Sequence, residues 1–220
     1  MRLLFVPSQA KIHLSFEKLT SESKKLPYSI GLVSTVQYAS YLKDIKAQLE
    51  RQGKSVFIGK AKGMDPGQVL GCNTEAASSI KGKVDAFLYI GSGIFHPLAI
   101  ALATDKPIFI MNPETQQINQ LDKSMISKAK AIKKGQQIKF LSADSFGIII
   151  STKPGQNKMK QALALKEKLE KRGKKVYLFA CDNLDLNQLE NWPKIECWVN
   201  TMCPGLSREQ PFVWIGDAKI

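Results

Sequence analysis

Residues 49–57 read Leu-Glu-Arg-Gln-Gly-Lys-Ser-Val-Phe, and residues 169–177 read Leu-Glu-Lys-Arg-Gly-Lys-Lys-Val-Tyr. Both describe the same junction: the polar end of an amphipathic helix, a glycine that stops it, and the β-branched start of a strand. Upstream of the first copy, Tyr38, Leu42, Ile45 and Leu49 recur at helical spacing. Ser34 and Thr35 stand where they would cap that helix, and residues 30–33 read as a buried strand. Residues 56–58, beyond Gly53, read as the next strand. The second copy repeats this order: a strand at 147–150, Ser151 and Thr152, a helix carrying Met159, Ala162, Leu165 and Leu169, the stop at Gly173, and a strand at 176–179. Aligned in this way, the second copy is three residues longer before its helix, through Lys153, Pro154 and Gly155. The likeness continues, since Val-Asp-Ala-Phe-Leu-Tyr at 84–89 parallels Ile-Glu-Cys-Trp-Val-Asn at 195–200. Tandem β-α-β units with a period of about 115 residues predict an α/β protein of two similar domains. Each would be a mostly parallel sheet with helices on both faces.

The size agrees. The chain has 220 residues, 44% of them hydrophobic, enough for two compact modules of about 100 residues each. The expected division is a strand and helix segment at 1–26 (strand at 3–6, helix at 12–19), a polar linker ending at Pro27, a first domain at 27–140 and a second at 141–220. No stretch approaches the roughly 20 apolar residues of a membrane span, and the N-terminus lacks the features of a secretory signal. A cytoplasmic location without membrane attachment is the expectation. The net charge of +13 favours acidic partners. The lysines are spread through helices and turns, however, and no aromatic-plus-basic module is present, which argues against nucleic acid as the partner.

In an open α/β sheet, ligands sit beyond the carboxyl ends of strands. Ser34, Thr35 and Gln37 follow the first strand of the first domain. Gly91, Ser92 and Gly93 follow the strand at 87–90 and lead through His96 to Pro97, which suits the first turn of a helix at 98–103. The glycines let backbone amides approach a ligand, and a helix N-terminus favours an anionic group. The loop lacks the third glycine of a dinucleotide fingerprint and the Lys-Ser/Thr of a P-loop, so it reads equally as a tight packing turn. His96 reads as a hydrogen-bond donor, as a base, or as a packed ring. Gln37 and Gln68 are amides that either meet a ligand or close their turns. Four cysteines, Cys72, Cys181, Cys197 and Cys203, show no Cys-x-x-Cys spacing, and in the cytoplasm they stay reduced. Cys72 and Cys203, each beside Gly or Pro in a non-helical segment at a strand edge, read as thiolate ligands or as small core residues. Cys181 and Cys197 read as core.

Four segments together carry a family resemblance: Gly-Leu-Val-Ser-Thr-Val-Gln at 31–37, Gly-Gln-Val-Leu-Gly-Cys at 67–72, Val-Asp-Ala-Phe-Leu-Tyr-Ile-Gly-Ser-Gly-Ile-Phe-His-Pro at 84–97, and Val-Asn-Thr-Met-Cys-Pro at 199–204. Taken in order over nearly the whole chain, they resemble the first-step enzymes of diphthamide synthesis. These are 3-amino-3-carboxypropyl transferases that modify a histidine of elongation factor 2. The resemblance implies three homologous α/β domains, each giving one cysteine to a 4Fe–4S cluster whose open iron binds S-adenosylmethionine. Reductive cleavage of the Cγ–S bond then yields a 3-amino-3-carboxypropyl radical. It implies Cys72 and Cys203 as cluster ligands. It also implies a substrate pocket bordered by Ser34, Thr35 and Gln37, by Gly91, Ser92, Gly93 and His96, and by the loop at 152–156 with Gly155 and Gln156.

The sequence departs from the family in places. The first domain with its cysteine has no counterpart. The family's Cys-Pro-Arg is Cys203-Pro204-Gly205, and its Asp-Pro-Tyr is Asn112-Pro113-Glu114. Two thiolates hold a cubane poorly. The resemblance therefore implies partners: a separately encoded first domain, a homo- or heterodimer partner, an electron donor protein and elongation factor 2 as substrate. The alternative is a non-catalytic structural or elongation-factor-binding subunit.

Overall fold

The structure, a computed structural model, describes residues 6, 8–207 and 212–218. The strand expected at 3–6 falls, but for Val6, outside them. The chain forms two compact units, Met1–Ser127 and Lys128–Ile220. In order, the elements are α1 (Phe16–Glu22), β1 (Ser29–Ser34), α2 (Leu42–Arg51), β2 (Ser55–Phe57), α3 (Glu75–Ser78), β3 (Ala86–Ile90), α4 (Phe95–Thr104), β4 (Ile108–Met111), β5 (Ile118–Gln120), α5 (Lys123–Ser142), β6 (Ser145–Ser151), α6 (Met159–Glu170), β7 (Lys175–Cys181), β8 (Cys197–Asn200) and β9 (Phe212–Trp214).

The first unit's sheet runs β2-β1-β3-β4-β5, parallel except for β5. Five of the six residues of β1 are buried. Ile30 and Leu32, with Leu88 and Ile90 of β3, meet Leu19 of α1 and Leu42, Ile45 and Leu49 of α2. Gly31 and Phe87 face the other way, toward Ile80 at the end of α3, with α4 also on that side of the fold. The second unit's sheet runs β7-β6-β8-β9, all parallel. Ile148 and Ile150 pack with α5 and α6. Ile149 and Trp198 pack on the opposite side with Leu186 and Leu189 of a 3₁₀ helix, Leu186–Asn191. The two-unit α/β architecture is as expected, although 3₁₀ structure rather than an α-helix covers this last face.

The repeat extends to individual contacts. Ser29 Oγ donates to Lys83 O (2.7 Å), and Ser145 Oγ donates to Lys194 O (2.5 Å). Lys46 Nζ of α2 donates to Val56 O (2.8 Å), and Lys166 Nζ of α6 donates to Val176 O (3.1 Å). Gly31 lies beside Phe87 in register, as Gly147 lies beside Trp198. A Cβ at either glycine would come within 2.5 Å of the ring. These equivalences pair Ser29 with Ser145, 116 residues on, and Leu49 with Leu169, 120 residues on. The second copy is thus four residues longer over that span, not three, and its central strand has seven residues against six.

Other expectations shift locally. Ser34 and Thr35 cap no helix: a 3₁₀ helix at Val36–Tyr41 intervenes before α2, and Ser34 Oγ donates to Thr35 O instead (2.7 Å). The helix expected at 12–19 runs from Phe16 with Ser15 as its cap. α4 begins at Phe95 rather than 98, so Pro97 is its third residue, still within the turn whose amides have no intrahelical partner. β9 follows the segment holding Cys203, which therefore lies after the third of four strands. The long helix α5 has no counterpart in the sequence pattern. Its apolar residues fall on all sides, leaving Ile138 and Leu141 58% and 60% exposed. The unit boundary at 127/128 lies within it, ahead of the expected 140. Residues 10–26 pack onto the first unit rather than standing apart. Ala10 N donates to Gln37 O (3.0 Å), Ser15 N to Gln116 Oε1 (2.8 Å), and Gln116 Nε2 to His13 O (2.6 Å).

Two outcomes test this packing. Gly31→Ala would drive a methyl into the buried Phe87 ring and is expected to cost about 1–3 kcal/mol. Gly135→Ala, in open space within α5, should gain up to about 1 kcal/mol. Urea unfolding midpoints separate the two signs. A second test concerns Glu22, whose Oε2 accepts from Ile118 N (2.6 Å) and pairs with Lys25 (2.7 Å). The Ile118 amide first, and Lys25 after it, hold the carboxyl below the ordinary glutamate range. A depressed pKa gives stability that is present at neutral pH and lost as pH falls through the lowered value. Glu22→Gln should cost about 1 kcal/mol at neutral pH and almost nothing in acid below that value, read by unfolding at the two pH values.

Candidate functional site

Each unit has its central strand, β1 or β6, flanked on one side by the next strand and on the other by the one after that. The connection after β1 or β6 runs one way along the sheet, to β2 or β7, and the next connection runs back the other way, to β3 or β8. The gap between β1 and β3, and that between β6 and β8, is where loops part at the carboxyl edge and leave a crevice. In the first unit Ser34, Thr35 and Gln37 lie on one side of this switch point, and Gly91, Ser92, Gly93 and His96 on the other. In the second unit the loop with Gly155 and Gln156 follows β6, and Cys203 follows β8. The elements thus bring the expected residues to the carboxyl edge of each sheet, unit by unit.

Cys72 reaches that edge by a detour. The segment before it pairs with the end of β1: Ser34 N donates to Gly67 O and Val69 N to Ser34 O, both at 2.9 Å. A turn then closes by reciprocal bonds, Leu70 N to Asn73 O (2.8 Å) and Asn73 N to Leu70 O (3.1 Å). Asn73 Oδ1 also accepts from Glu75 N (2.9 Å), fixing the turn to α3. Gly71 rests against Phe95 of α4, whose ring carbon would lie 2.2 Å from a Cβ there. Cys72 is left exposed. Gln68 is spent on its own turn, its Oε1 accepting from Asp65 N (3.0 Å). Asn112 likewise closes its turn, accepting from Glu114 N (2.9 Å) and Thr115 N (3.3 Å).

Cys203 is held by a residue that sequence reasoning did not single out. Asn200, at 0% exposure, ends β8. Its Nδ2 donates to Cys203 O (2.7 Å) and Ser207 Oγ (3.1 Å), and its Oδ1 accepts from Met202 N (2.8 Å). Thr201 donates from both N and Oγ1 to Ile149 O (3.1 and 2.8 Å), tying the same loop to β6. The signal was available: an amide side chain inside a strand's apolar run must be satisfied where it is buried. Cys203 itself is half-buried. Cys197 is sealed in the core, its thiol pushed up to about 12 by burial. Cys181, expected in the core, is instead half-buried because it ends β7 at the sheet's carboxyl edge, its thiol raised by burial and by the charge of Asp182. In the loop after β6, Thr152 bonds to Asp182, and Lys153 Nζ donates to Asn183 Oδ1 (2.6 Å). Among the described residues no group of three His, Cys, Asp or Glu side chains is placed to hold a metal ion.

The fold and its edges define a tandem α/β protein with an exposed cysteine, Cys72, at the carboxyl edge of the first unit and two half-buried ones, Cys181 and Cys203, at that of the second. Residues 1–211 match the model of the diphthamide synthesis protein family, and the chain belongs to that family. It is 33% identical over 215 residues to 2-(3-amino-3-carboxypropyl)histidine synthase of Pyrococcus horikoshii, covering 96% of this chain and 61% of that protein. It is 30% identical over 216 residues to subunit 1 of the synthase of Schizosaccharomyces pombe, covering 94% and 49%. The crystal structure of Dph2 from P. horikoshii with a 4Fe–4S cluster superposes with a TM-score of 0.79 at 31% identity, covering 95% of this chain and 62% of that one. The chain thus spans at most about three fifths of the length of these relatives.

Thiol alkylation read by peptide mass spectrometry should follow the order of exposure. Cys72 reacts first, Cys203 and Cys181 more slowly, and Cys197 only on unfolding. Asn200→Ala is expected to cost about 1–3 kcal/mol and to raise the Cys203 rate toward that of Cys72. An unchanged Cys203 rate would remove the pinning role given to Asn200.

Proposed function

We propose that this chain acts in the first step of diphthamide synthesis, transferring the 3-amino-3-carboxypropyl group of S-adenosylmethionine to a histidine of elongation factor 2. The observation that supports this most is the contrast among its cysteines. Cys72 and Cys203 sit on hydrogen-bonded turns in loops at carboxyl edges, whereas Cys197 is core and the half-buried Cys181 is the last residue of β7 itself. With a relative that contains a 4Fe–4S cluster, these two are the proposed cluster thiolates. The donor set fits in part: thiolates suit such a cluster, but the described residues offer no set of three ligands. Further ligands would come from another segment or from a partner chain. When bound, the cluster supplies the electron for reductive cleavage of the sulfonium.

The chain's own residues orient and bind. The amides of Ser92 and Gly93, with the N-terminus of α4, suit the methionine carboxylate, while Gly91 borders the pocket with its own amide donated to Met111 O (3.1 Å). Ser34, Thr35, Gln37, His96, Gly155 and Gln156 are the proposed borders of the S-adenosylmethionine pocket. The proposed assembly is cytoplasmic and includes a dimer partner and an electron donor protein. A net charge of +13 favours an acidic protein substrate. A second reading, a non-catalytic subunit that binds elongation factor 2, draws on the incomplete ligand set.

Anaerobic reconstitution with iron and sulfide tests the first reading, with the chain alone and with a polypeptide that supplies a further cysteine. Iron content, visible absorbance and aminocarboxypropyl transfer are measured. The expected outcome is a cluster in the mixture whose iron falls at least tenfold with Cys72→Ala or Cys203→Ala. Iron and transfer activity unaffected by both substitutions would sink the ligand assignment. No iron under any condition, in a folded protein, would leave the second reading.

A further inference from the structure

β3 carries one hydroxyl in an otherwise aliphatic and aromatic strand. Tyr89 is 1% exposed, and its ring stacks on the imidazole of His96 with centroids 5.9 Å apart and planes inclined by 17°. Tyr89 Oη stands 3.4 Å from His96 Nδ1. Phe95 meets the same imidazole edge-on at 5.0 Å and 84°, so the imidazole has an aromatic contact on each of two sides. Gly91 leaves room for the pair: a Cβ there would lie 2.6 Å from Tyr89 Oη. Burial pushes the phenol up to about 12, with Tyr38 adding to the shift and the Thr35 hydroxyl opposing it. Tyr89 therefore keeps its proton at neutral pH.

We propose that Tyr89 is a positioning residue whose hydroxyl donates to His96 Nδ1 and fixes the imidazole as its Nε2–H tautomer. The phenol has one proton to give, and the imidazole nitrogen is the strongly basic acceptor beside it. The Thr35 hydroxyl lowers the phenol pKa and so acts toward it as a donor, with Gln37 Oε1 (3.4 Å) as its other acceptor. A neutral imidazole carries one N–H, so an accepting Nδ1 places that proton on Nε2. His96 then carries its proton at Nε2, the form that donates to a carboxylate or carbonyl oxygen, and has no lone pair there with which to take a proton. Of the roles left open by its sequence, it is a donor and not a base. That consequence for ligand binding rests on the proposed function; the tautomer does not.

The test is ring 15N spectroscopy of the ligand-free chain at about pH 8, where imidazole is neutral. Only His13 and His96 contribute, and exposed His13 is the internal reference. The expected spectrum shows an unprotonated, hydrogen-bonded Nδ1 and a protonated Nε2 for His96. Tyr89→Phe keeps the ring and should move both nitrogens toward the His13 values, while Thr35→Val should leave them in place. A protonated Nδ1 in the wild type overturns the proposal, and so does a His96 pattern indifferent to Tyr89→Phe. Since the wild-type spectrum needs no variant, a misfolded variant cannot rescue it. Adding S-adenosylmethionine to the reconstituted mixture separates the two claims: no response of His96 there counts against the proposed function and leaves the tautomer as measured.

Discussion

A parallel strand covered on both faces has no room along its length for a polar side chain, and this constraint shapes both units. Five of the six residues of β1 and all seven of β6 are buried. Chemistry is displaced to the ends of such strands, and here it collects at the carboxyl ends. The polar residues tolerated there are satisfied internally. Ser34 bonds to its neighbour's carbonyl, Thr201 to Ile149, and Asn200 to three partners at once. Each bond fixes the direction in which a loop departs, so packing of the sheet interior and placement of the cysteines are one problem.

The repeated junctions were legible because they rest on local chemistry. A helix end, a glycine stop and a β-branched run declare themselves within nine residues, and Leu49 and Leu169 anchor them in both copies. The register of the repeat was less legible. Gly31 and Gly147 correspond because each lies beside an aromatic ring on a strand distant in sequence, and pattern alone matched Ser34 with Ser151 instead. α5 was missed because its apolar residues mark no single face. The N-terminal segment was set apart because the bonds that dock it, through Gln37 and Gln116, join residues far apart in sequence.

The same distinction applies to the candidate site. Cys72, Cys203 and the glycine loop could be named from motif and family likeness. What holds them could not: Asn73 fixes one turn, Asn200 pins another, and Tyr89 lies beneath Gly91. These supporting residues look unremarkable in sequence, since an Asn or Tyr in an apolar run gains meaning only from its partners. Family membership follows from the extent of the match.

The lysines that reach across β2 and β7 have a further consequence. Both strands are outermost in their sheets, and an outermost strand offers backbone groups on which a foreign strand can grow. Lys46 and Lys166 each occupy one such carbonyl, and each is steadied by a glutamate one helical turn on, Glu50 or Glu170. A charged cap of this kind discourages templated stacking of one sheet on another. Acetylation, by neutralising the ammonium group, would lift that guard from both units. Part of the positive charge of this chain thus protects its own borders and says nothing about what it binds.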